Sequence, residues 1–272
     1  MPLERQEFEY IRNFLQKRSA IVLDEEKQYL VESRLLPLAR REGYSGIGEL
    51  VTKMQTTAVN GLHQKVVEAM TTHETSFYRD ARPFDALRRA VFPELIAARS
   101  ATRKLRIWCA ACSSGQEPYS VAMLIRENFP QLQSWDVTIL ATDLSMQILE
   151  KAREAVFSQL DVNRGLPAPY LLKYFDRQGM NWKLKDDIRK LVEFRPMNLI
   201  EPWPTMAPFD VVMLRNVLIY FDVDTKKNIL KNVRRLLHPS SYFFLGGAES
   251  TRNLDDKFAR VELEQSSVYR LC

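Results

Sequence analysis

Cysteine and histidine are scarce in this chain of 272 residues, which holds three of each. Three cysteines do not form the disulfide framework of a secreted protein, so we expect reduced thiols and a cytoplasmic location. No apolar run is long enough to cross a bilayer, and the charged start MPLERQEFEY lacks the pattern of a signal peptide. We therefore expect no direct insertion into a membrane.

Two nucleotide-binding signatures are also missing. The chain has neither the G-x-G-x-x-G of nicotinamide enzymes nor the G-x-x-x-x-G-K-[ST] of phosphate-binding loops. Its net charge of +5 is mild, and no basic tail accompanies it. This excess favours an acidic partner, although ordinary solvated charge explains it equally well. We expect no nucleic-acid partner.

The chain divides by the spacing of its apolar residues. Over residues 1–70 they recur at three- and four-residue steps, which predicts an all-helical domain in which Pro37 kinks or divides the second helix. A linker over 71–84 and a larger domain over 85–272 follow. In the larger domain, apolar β-branched runs alternate with helical ones. This alternation predicts an α/β fold, a parallel sheet with helices on both faces.

An insert over about 157–191 interrupts this alternation. We predict a short helix at APYLLKYF and a hairpin formed by MNWKL, KDD and IRKLVEF. The final stretch SSVYRLC is a candidate for one more strand. The strands predicted for the main sheet are Leu105–Cys109, Val137–Thr142, Val192–Pro196, Phe209–Leu214 and Tyr242–Leu245, and the helices among them are Pro118–Asn128, Met146–Val156 and Thr225–Leu237.

The stretch WCAACSSGQEPYS marks the turn from the first strand into a helix. Gly115 permits a positive φ or a close backbone approach, and Pro118 suits the first turn of a helix. The free N–H groups there can hold an anion such as a carboxylate. The Cys-x-x-Cys spacing admits a thiol or zinc site instead, but the other cysteine and the histidines are scattered, and Cys109 lies in an apolar strand. We expect no metal site.

An acidic residue ends the second predicted strand, in ILATDLS. Asp143 in this position suits the ribose hydroxyls of an adenosine, although it or Ser145 could equally cap the next helix. A nucleoside cofactor without a pyrophosphate fits both this acid and the missing signatures. S-adenosylmethionine is such a molecule.

Five segments in order resemble the bacterial chemotaxis receptor methyltransferases, the CheR family: MTTHETSFYRD, ACSSGQEPYSVAM, ILATDLSMQILEKAR, FRPMNLIEPWP and FDVVMLRNVLIYFD. The resemblance covers nearly the whole chain. It implies a Rossmann-like methyltransferase domain that transfers a methyl group from S-adenosylmethionine to glutamate side chains in the cytoplasmic region of chemoreceptors. The products would be S-adenosylhomocysteine and a glutamate methyl ester. In some members the inserted subdomain binds a peptide at the receptor C-terminus, which leaves such binding open here.

The resemblance also implies site residues. Arg79 and Tyr220 would lie beside the methyl group and the incoming carboxylate. The cofactor contacts would be His73, Thr75, Arg79, Glu117, Asp143, Asn198, Leu199, Asn216 and Val217. His73 replaces the asparagine usual in the family, and Gln116, in place of the first acid of the turn, is expected to face away from the cofactor.

Alternatives remain open for several of these residues. Arg79 could form a surface ion pair with Asp80 or Asp85, Tyr220 could lie at the sheet edge for its amphipathic character, and Asn216 could form a turn. A non-catalytic module that binds S-adenosylmethionine or docks receptors is the main rival function. An amino-methyltransferase is disfavoured, because RNVL stands where that class has D/N-P-P-Y/F. The basic residues Arg34, Arg40 and Arg41 on the second helix are candidates for docking an acidic receptor helix.

Overall fold

The computed structural model describes residues 3–272, so Met1 and Pro2 of the predicted N-terminal stretch lie outside the described residues. Its contacts group the chain into two units, 1–72 with 220–225, and 73–219 with 226–272. The finer division at residues 70 and 84 remains our proposal. Within residues 3–272, no helix combines the length and the apolar character needed to cross a membrane.

The first unit contains four helices, as the apolar spacing predicts: α1 (Arg5–Ser19), α2 (Gln28–Arg41), α3 (Ile47–Thr56) and α4 (Gly61–Met70). The end of α2 is set by Gly43, which has a φ of 86°. Its N–H bonds to the carbonyl of Arg40 and the next N–H, of Tyr44, bonds to the carbonyl of Ala39. This is the Schellman arrangement, which satisfies carbonyls that the helix end leaves free.

Pro37 lies inside α2, which runs unbroken from Gln28 to Arg41. Pro37 therefore does not divide this helix, and of the two predicted outcomes only a kink remains a prediction. A proline removes one backbone hydrogen bond, but tertiary packing provides most of the stability of a protein helix. Leu35 and Leu38 on either side of Pro37 are buried in the core of the unit, and this packing offsets the loss.

The second unit holds two sheets and the remaining helices, the last of which begins within residues 220–225 of the first unit. The strands are β1 (Lys104–Ala110), β2 (Asp136–Asp143), β3 (Val156–Ser158), β4 (Phe175–Gln178), β5 (Asn181–Leu184), β6 (Val192–Pro196), β7 (Phe209–Leu214), β8 (Leu237–Leu245), β9 (Phe258–Leu263) and β10 (Ser266–Leu271). The helices are α5 (Arg82–Ala86), α6 (Phe92–Ala98), α7 (Gln116–Asn128), α8 (Met146–Glu154), α9 (Gln159–Asn163), α10 (Ala168–Tyr174), α11 (Asp186–Arg189) and α12 (Val223–Arg235). A π-helical segment, Leu87–Val91, joins α5 to α6.

The main sheet has seven strands in the order β6-β2-β1-β7-β8-β10-β9. The first five of these run parallel, whereas β10 pairs antiparallel with both β8 and β9. All six residues of β7 are buried, as expected for a strand covered on both faces. The predicted α/β fold is confirmed, and so are its five parallel strands. The sequence reading missed β9, and the predicted helix Thr225–Leu237 runs too far, because Leu237 pairs with Phe209 in the sheet.

The inserted subdomain contains a three-stranded antiparallel sheet, in the order β3-β5-β4. Its hairpin joins β4 to β5, so the predicted pairing of MNWKL with IRKLVEF is wrong. The turn lies at Gly179, whose φ of 61° gives the positive value that tight hairpins need. The residues expected in the second hairpin strand instead form α11 and then β6 of the main sheet.

Candidate active site

The turn after β1 has an unusual backbone. Gly115 has a φ of 91° and directly precedes α7. A Cβ atom built on it would lie 3.1 to 3.3 Å from Tyr119, Ala152 and Phe194. Both the positive φ and this tight packing favour glycine. The helix therefore starts close against the sheet edge, with its first N–H groups turned toward the carboxyl ends of the strands.

Asp143 lies at the end of β2 and connects this strand to the turn that follows β1. Its Oδ2 accepts a hydrogen bond from the N–H of Ser113 at 2.8 Å, and its Oδ1 accepts one from the N–H of Ser145 at 3.0 Å. Burial raises the pKa of Asp143, against the opposing effect of these N–H groups and of the charge of His73. The cap of α8 is Ser145, whose Oγ accepts from the N–H of Ile148, so Asp143 does not serve as that cap.

Two further segments meet the same edge through backbone carbonyls. The hydroxyl of Ser113 donates to the carbonyl of His73 at 3.0 Å, which fixes the start of the segment that precedes the sheet. The N–H of Met197 donates to the carbonyl of Asp143 at 2.9 Å. This bond places the predicted pair Asn198 and Leu199 directly after the end of β6, next to β2.

Asn198 and Leu199 also shape their own loop. The Asn198 side chain accepts from the N–H of Ile200 at 3.3 Å and donates to Glu201 at 3.1 Å. Leu199 is buried, and its carbonyl accepts from the indole N–H of Trp203 at 3.0 Å. The loop is therefore held by local bonds.

The guanidinium of Arg215 holds three segments together. Its Nη1 lies 2.7 Å from Oε2 of Glu117, and its Nη2 lies 2.8 Å from Oδ2 of Asp80 and 2.9 Å from the carbonyl oxygen of Arg79. Only 2% of the Arg215 side chain is exposed, against 12% for Glu117. Arg215 also stacks 5.9 Å above the ring of Phe84. The buried charge of Arg215 at the end of β7 thus binds both the first turn of α7 and the segment before α5.

Glu117 is a mostly buried carboxylate with a cationic partner. Burial raises its pKa, and the charges of Arg215 and Arg79 oppose that rise. The Arg79 guanidinium itself donates to the carbonyl of Glu74 at 2.8 Å. The alternative interpretation of Arg79 as the partner of Asp80 or Asp85 is wrong, because Asp80 pairs with Arg215 and Asp85 pairs with Arg88. Thr75 is partly buried in the same segment.

The loop after β7 is closed by Glu249. Its Oε2 accepts hydrogen bonds from the N–H groups of Asn216 at 2.8 Å and Gly246 at 2.7 Å, and its Oε1 accepts from the N–H of Ile219 at 3.3 Å. Asn216 has a φ of 59°, so it forms the turn that its residue type suggested. A Cβ atom on Gly246 would lie 2.6 Å from the side-chain amide nitrogen of Asn216. Val217 follows, partly buried.

Two other predicted residues have different surroundings. Tyr220 ends a short 3₁₀ turn and groups with the first unit, where its carbonyl accepts from the N–H of Val22 at 3.1 Å. Its place beside the reacting groups remains a prediction. Gln116 is buried, and its side-chain oxygen accepts from the hydroxyl of Ser114 at 2.8 Å.

The Cys-x-x-Cys pair does not have the surroundings of a reactive site. Cys109 and Cys112 are buried free thiols, and burial raises the pKa of each well above its ordinary value. A reactive thiol needs the opposite shift, because the thiolate is the nucleophile and the metal ligand. Within residues 3–272, no cluster of three or more His, Cys, Asp or Glu side chains could hold a metal ion.

Sequence reasoning missed Arg215, Glu249 and Ser113, which organise this edge. In the sequence, Arg215 only interrupts the apolar stretch VVMLRNVLIYF. An arginine directly after a mostly apolar strand is a usable signal, since a buried guanidinium needs carboxylate partners nearby. Glu249 carried no comparable signal, because its role depends on a fold that brings two distant loops together.

Chemically, the edge offers acceptors and donors of several kinds. Glu117 can pair with an ammonium group, Asp143 retains lone pairs for hydroxyl groups, and the amides of Asn198 and Asn216 can both donate and accept. The groups lie after β1, β2, β6 and β7, at one edge of a parallel sheet. In open α/β sheets this edge is where ligands bind.

Comparison with known proteins agrees with this geometry. The family described as "CheR methyltransferase, SAM binding domain" matches residues 73–267, and "CheR methyltransferase, all-alpha domain" matches residues 6–71. The chain is 45% identical over 269 residues to chemotaxis protein methyltransferase 1 of Pseudomonas aeruginosa, which covers 97% of each chain. It is 43% identical to chemotaxis protein methyltransferase Cher2 of Pseudomonas putida, with the same coverage.

Some of the solved structures that resemble the chain are more distant in sequence. A TehB-like SAM-dependent methyltransferase from Corynebacterium glutamicum is 12% identical, with a TM-score of 0.40 over 70% of this chain and 100% of that chain. A similarity at this level supports no conclusion about this chain. The family matches do support a conclusion about this chain, since together they span both units. The chain belongs to the CheR methyltransferase family and is an S-adenosylmethionine-dependent protein-glutamate O-methyltransferase of chemotaxis.

Proposed function

We propose that this enzyme works in the cytoplasm on the cytoplasmic region of methyl-accepting chemoreceptors and binds its cofactor at the edge described above. The observation that carries the placement is the pair of carboxylates at neighbouring strand-to-helix turns, the buried Asp143 and the mostly buried Glu117. The proposed cofactor contacts are His73, Thr75, Arg79, Glu117, Asp143, Asn198, Leu199, Asn216 and Val217.

The residues present fit the chemistry of S-adenosylmethionine. Its ammonium group needs a carboxylate, for which Glu117 retains one oxygen beyond the Arg215 bond. Its ribose needs an acceptor for two hydroxyls, for which Asp143 is suited. Its adenine needs an amide or backbone partner and an apolar contact, for which Asn198 and the buried Leu199 are suited. When bound, the cofactor supplies an electrophilic methyl group on a positively charged sulfur.

The substrate side of the reaction needs no general base. A glutamate side chain has a reference pKa of about 4.3, so its carboxylate is already ionised at neutral pH. The chain's residues must therefore orient this carboxylate within about 3 to 3.5 Å of the reacting carbon and exclude water, which weakens it as a nucleophile. We assign the orientation to Arg79 and Tyr220.

Arg79 is suited to this role by position and charge. Its guanidinium is near enough to lower the pKa of Glu117, yet its bond to the Glu74 carbonyl leaves other N–H groups free to donate. A bidentate clamp on both substrate oxygens would reduce their nucleophilicity. Arg79 should therefore hold one substrate oxygen, and the Tyr220 hydroxyl should donate to the same carboxylate.

Receptor docking involves the first unit in this proposal. Arg40 and Arg41 are exposed on α2, where they can contact an acidic helix. Arg34 on the same helix is partly buried and donates to the carbonyl of Met70 at 2.7 Å and to the hydroxyl of Thr72 at 3.0 Å, and it remains a candidate for the same contact. In the inserted sheet, β4 is an edge strand to which a C-terminal receptor peptide could add a strand.

A methyl-transfer assay tests the proposal. Purified enzyme is incubated with S-adenosylmethionine radiolabelled on its methyl group and with receptor-containing membranes, and the label is then released with base. Base-labile label on the receptor is expected, because glutamate methyl esters hydrolyse in base. A receptor whose methylated glutamates are replaced by alanine is the control. Cofactor binding by calorimetry without receptor label would favour the rival, a non-catalytic binding module.

A further inference from the structure

Two adjoining cavities open on the second unit, away from the residues assigned to the cofactor's ribose and adenine. The inner cavity, of about 730 Å³, is lined by the ends of β7 and β8, including Arg215 and Gly246. The outer cavity, of about 810 Å³, is lined by α12, the loop that follows β8 and part of β9. Ser250, Arg260 and Tyr269 line both, so the two cavities adjoin, and together they are here called the basic groove.

The inner end of the basic groove adjoins the proposed reaction site. Arg215 directly follows β7 and bonds to Glu117, and Gly246 directly follows β8 and approaches Asn216. The carboxyl edge of a parallel sheet extends across its neighbouring strands. The cofactor residues occupy the part of this edge at β6, β2, β1 and β7, which leaves the part at β7 and β8 for the second reactant.

The walls of the basic groove hold seven lysine and arginine side chains against four acids, Asp80, Glu249, Asp255 and Asp256. Lys227, Lys231 and Arg234 are spaced by four and three residues on α12, so they share one helix face. Asp255 neutralises Arg234 at 3.3 Å, and Glu262 lies 3.4 Å from Arg260.

The remaining cations of the groove have no such neutralisation. Lys227, Lys231 and Arg252 at the outer end, and Arg82 at the inner end, form no ion pair with any carboxylate between residues 3 and 272. Lys227, Lys231 and Arg252 are exposed. Clustered like charges repel one another, so their arrangement around a cavity favours an anionic partner.

We propose that the basic groove binds an acidic stretch of the protein substrate and leads its glutamate to the reaction site. This inference rests on the proposed function, because that function supplies the acidic substrate. Unpaired cations at both ends of a groove formed from two cavities match an extended chain with several carboxylates better than one small anion. Charges at the rim of such a surface act mainly on association and on its salt dependence.

Charge reversal at the outer end tests the proposal. The double variant Lys227→Glu/Lys231→Glu is compared with Lys104→Glu/Arg235→Glu, which changes the net charge equally. Lys104 starts β1 at the opposite edge of the sheet, and Arg235 lies on the same helix outside the groove lining. KM for the receptor and the dissociation constant of a soluble receptor fragment are both measured, together with the affinity for S-adenosylhomocysteine and the melting temperature.

The groove variant should raise KM and the fragment's dissociation constant by about tenfold, while its affinity for S-adenosylhomocysteine stays the same. In wild type, raising salt to about 0.5 M should weaken fragment binding more than it does in the groove variant. Equal KM and fragment affinity in the two double variants would overturn the proposal. If wild type transfers no methyl group but loses fragment binding on groove reversal, the proposed function fails and the basic groove remains an acidic-peptide site.

Discussion

The guanidinium of Arg215 and the carboxylate of Glu117 form a buried ion pair, with 2.7 Å between Nη1 and Oε2. The pair joins the residue that follows β7 to the first turn of α7. Asp80 and the carbonyl of Arg79 bind the other nitrogen of the same guanidinium. One residue therefore fixes both the acid assigned to the cofactor and the arginine assigned to the substrate.

Replacing Arg215 with alanine should destabilise the second unit. The variant leaves the buried Glu117 carboxylate without its cation, a change that typically costs on the order of 3–5 kcal/mol. Chemical denaturation measures the free energy of unfolding. Arg215→Lys should recover only part of it, because an ammonium group cannot present the fork of donors that reaches three acceptors. A loss below about 1 kcal/mol for Arg215→Ala, the level of a surface ion pair, would contradict this account.

Replacing Asp143 with alanine should weaken cofactor binding by at least about tenfold, since a lost hydrogen bond to a charged group is worth roughly 1.5–3 kcal/mol. Calorimetry with S-adenosylhomocysteine measures the change. Ser145→Ala is the matched control, because it removes the cap of α8 and leaves the Asp143 carboxylate in place. The control should cost about 1 kcal/mol of stability without changing cofactor affinity. Equal affinities for the Asp143 variant and wild type would count against the ribose placement.

Replacing Arg79 with alanine should lower kcat by more than it lowers affinity for S-adenosylhomocysteine. The reason is that Arg79 is assigned to the substrate carboxylate, whereas its effect on Glu117 is indirect. Steady-state kinetics and calorimetry separate the two effects. Arg89→Ala, which removes an exposed arginine paired with Glu264, should change neither quantity. The opposite pattern for Arg79, weak cofactor binding with near-normal kcat, would show that this residue acts mainly on the cofactor and not on the substrate.

Cofactor affinity should fall on acidification at a higher pH than ordinary carboxylates would predict. Burial raises the pKa values of Glu117 and Asp143, so both take up protons above their reference range of about 4. Protonation removes the charge that the ammonium and hydroxyl groups need. The effect on the free protein has the opposite sign: because the folded state binds these protons more readily than the unfolded state, their uptake stabilises the fold as pH falls. Calorimetry with S-adenosylhomocysteine across this range would contradict the prediction if affinity stayed constant.

Most of the fold could be predicted from the sequence, because local patterns of apolar residues indicate its strands and helices. Buried parallel strands such as Phe209–Leu214 are mostly apolar runs. The predicted bounds match those of β6 and β7, whereas β1, β2 and β8 extend beyond the residues predicted for them. The prediction of the hairpin was wrong because the only signal for its turn was a single glycine, Gly179, in a polar stretch. Pro37 does not divide α2, because tertiary packing outweighs local propensity in a helix with buried leucines.

For the site, the sequence predicted individual residues better than their connections. Asp143 is indicated as an acid at the end of an apolar run, whereas Glu117 is implied only by the resemblance to the family. The bonds that link Ser113 to His73, and Glu249 to Asn216, join residues far apart in the chain, and no pattern in the sequence indicates them. They depend on the order of strands in the sheet, which sequence periodicity does not specify.

A crystal structure with S-adenosylhomocysteine bound tests the central claim most directly. The account predicts the ligand's ammonium group against Glu117 and its ribose hydroxyls against Asp143, with the sulfur facing Arg79. Ligand density elsewhere, or a bound ligand that leaves both carboxylates without contacts, would contradict it.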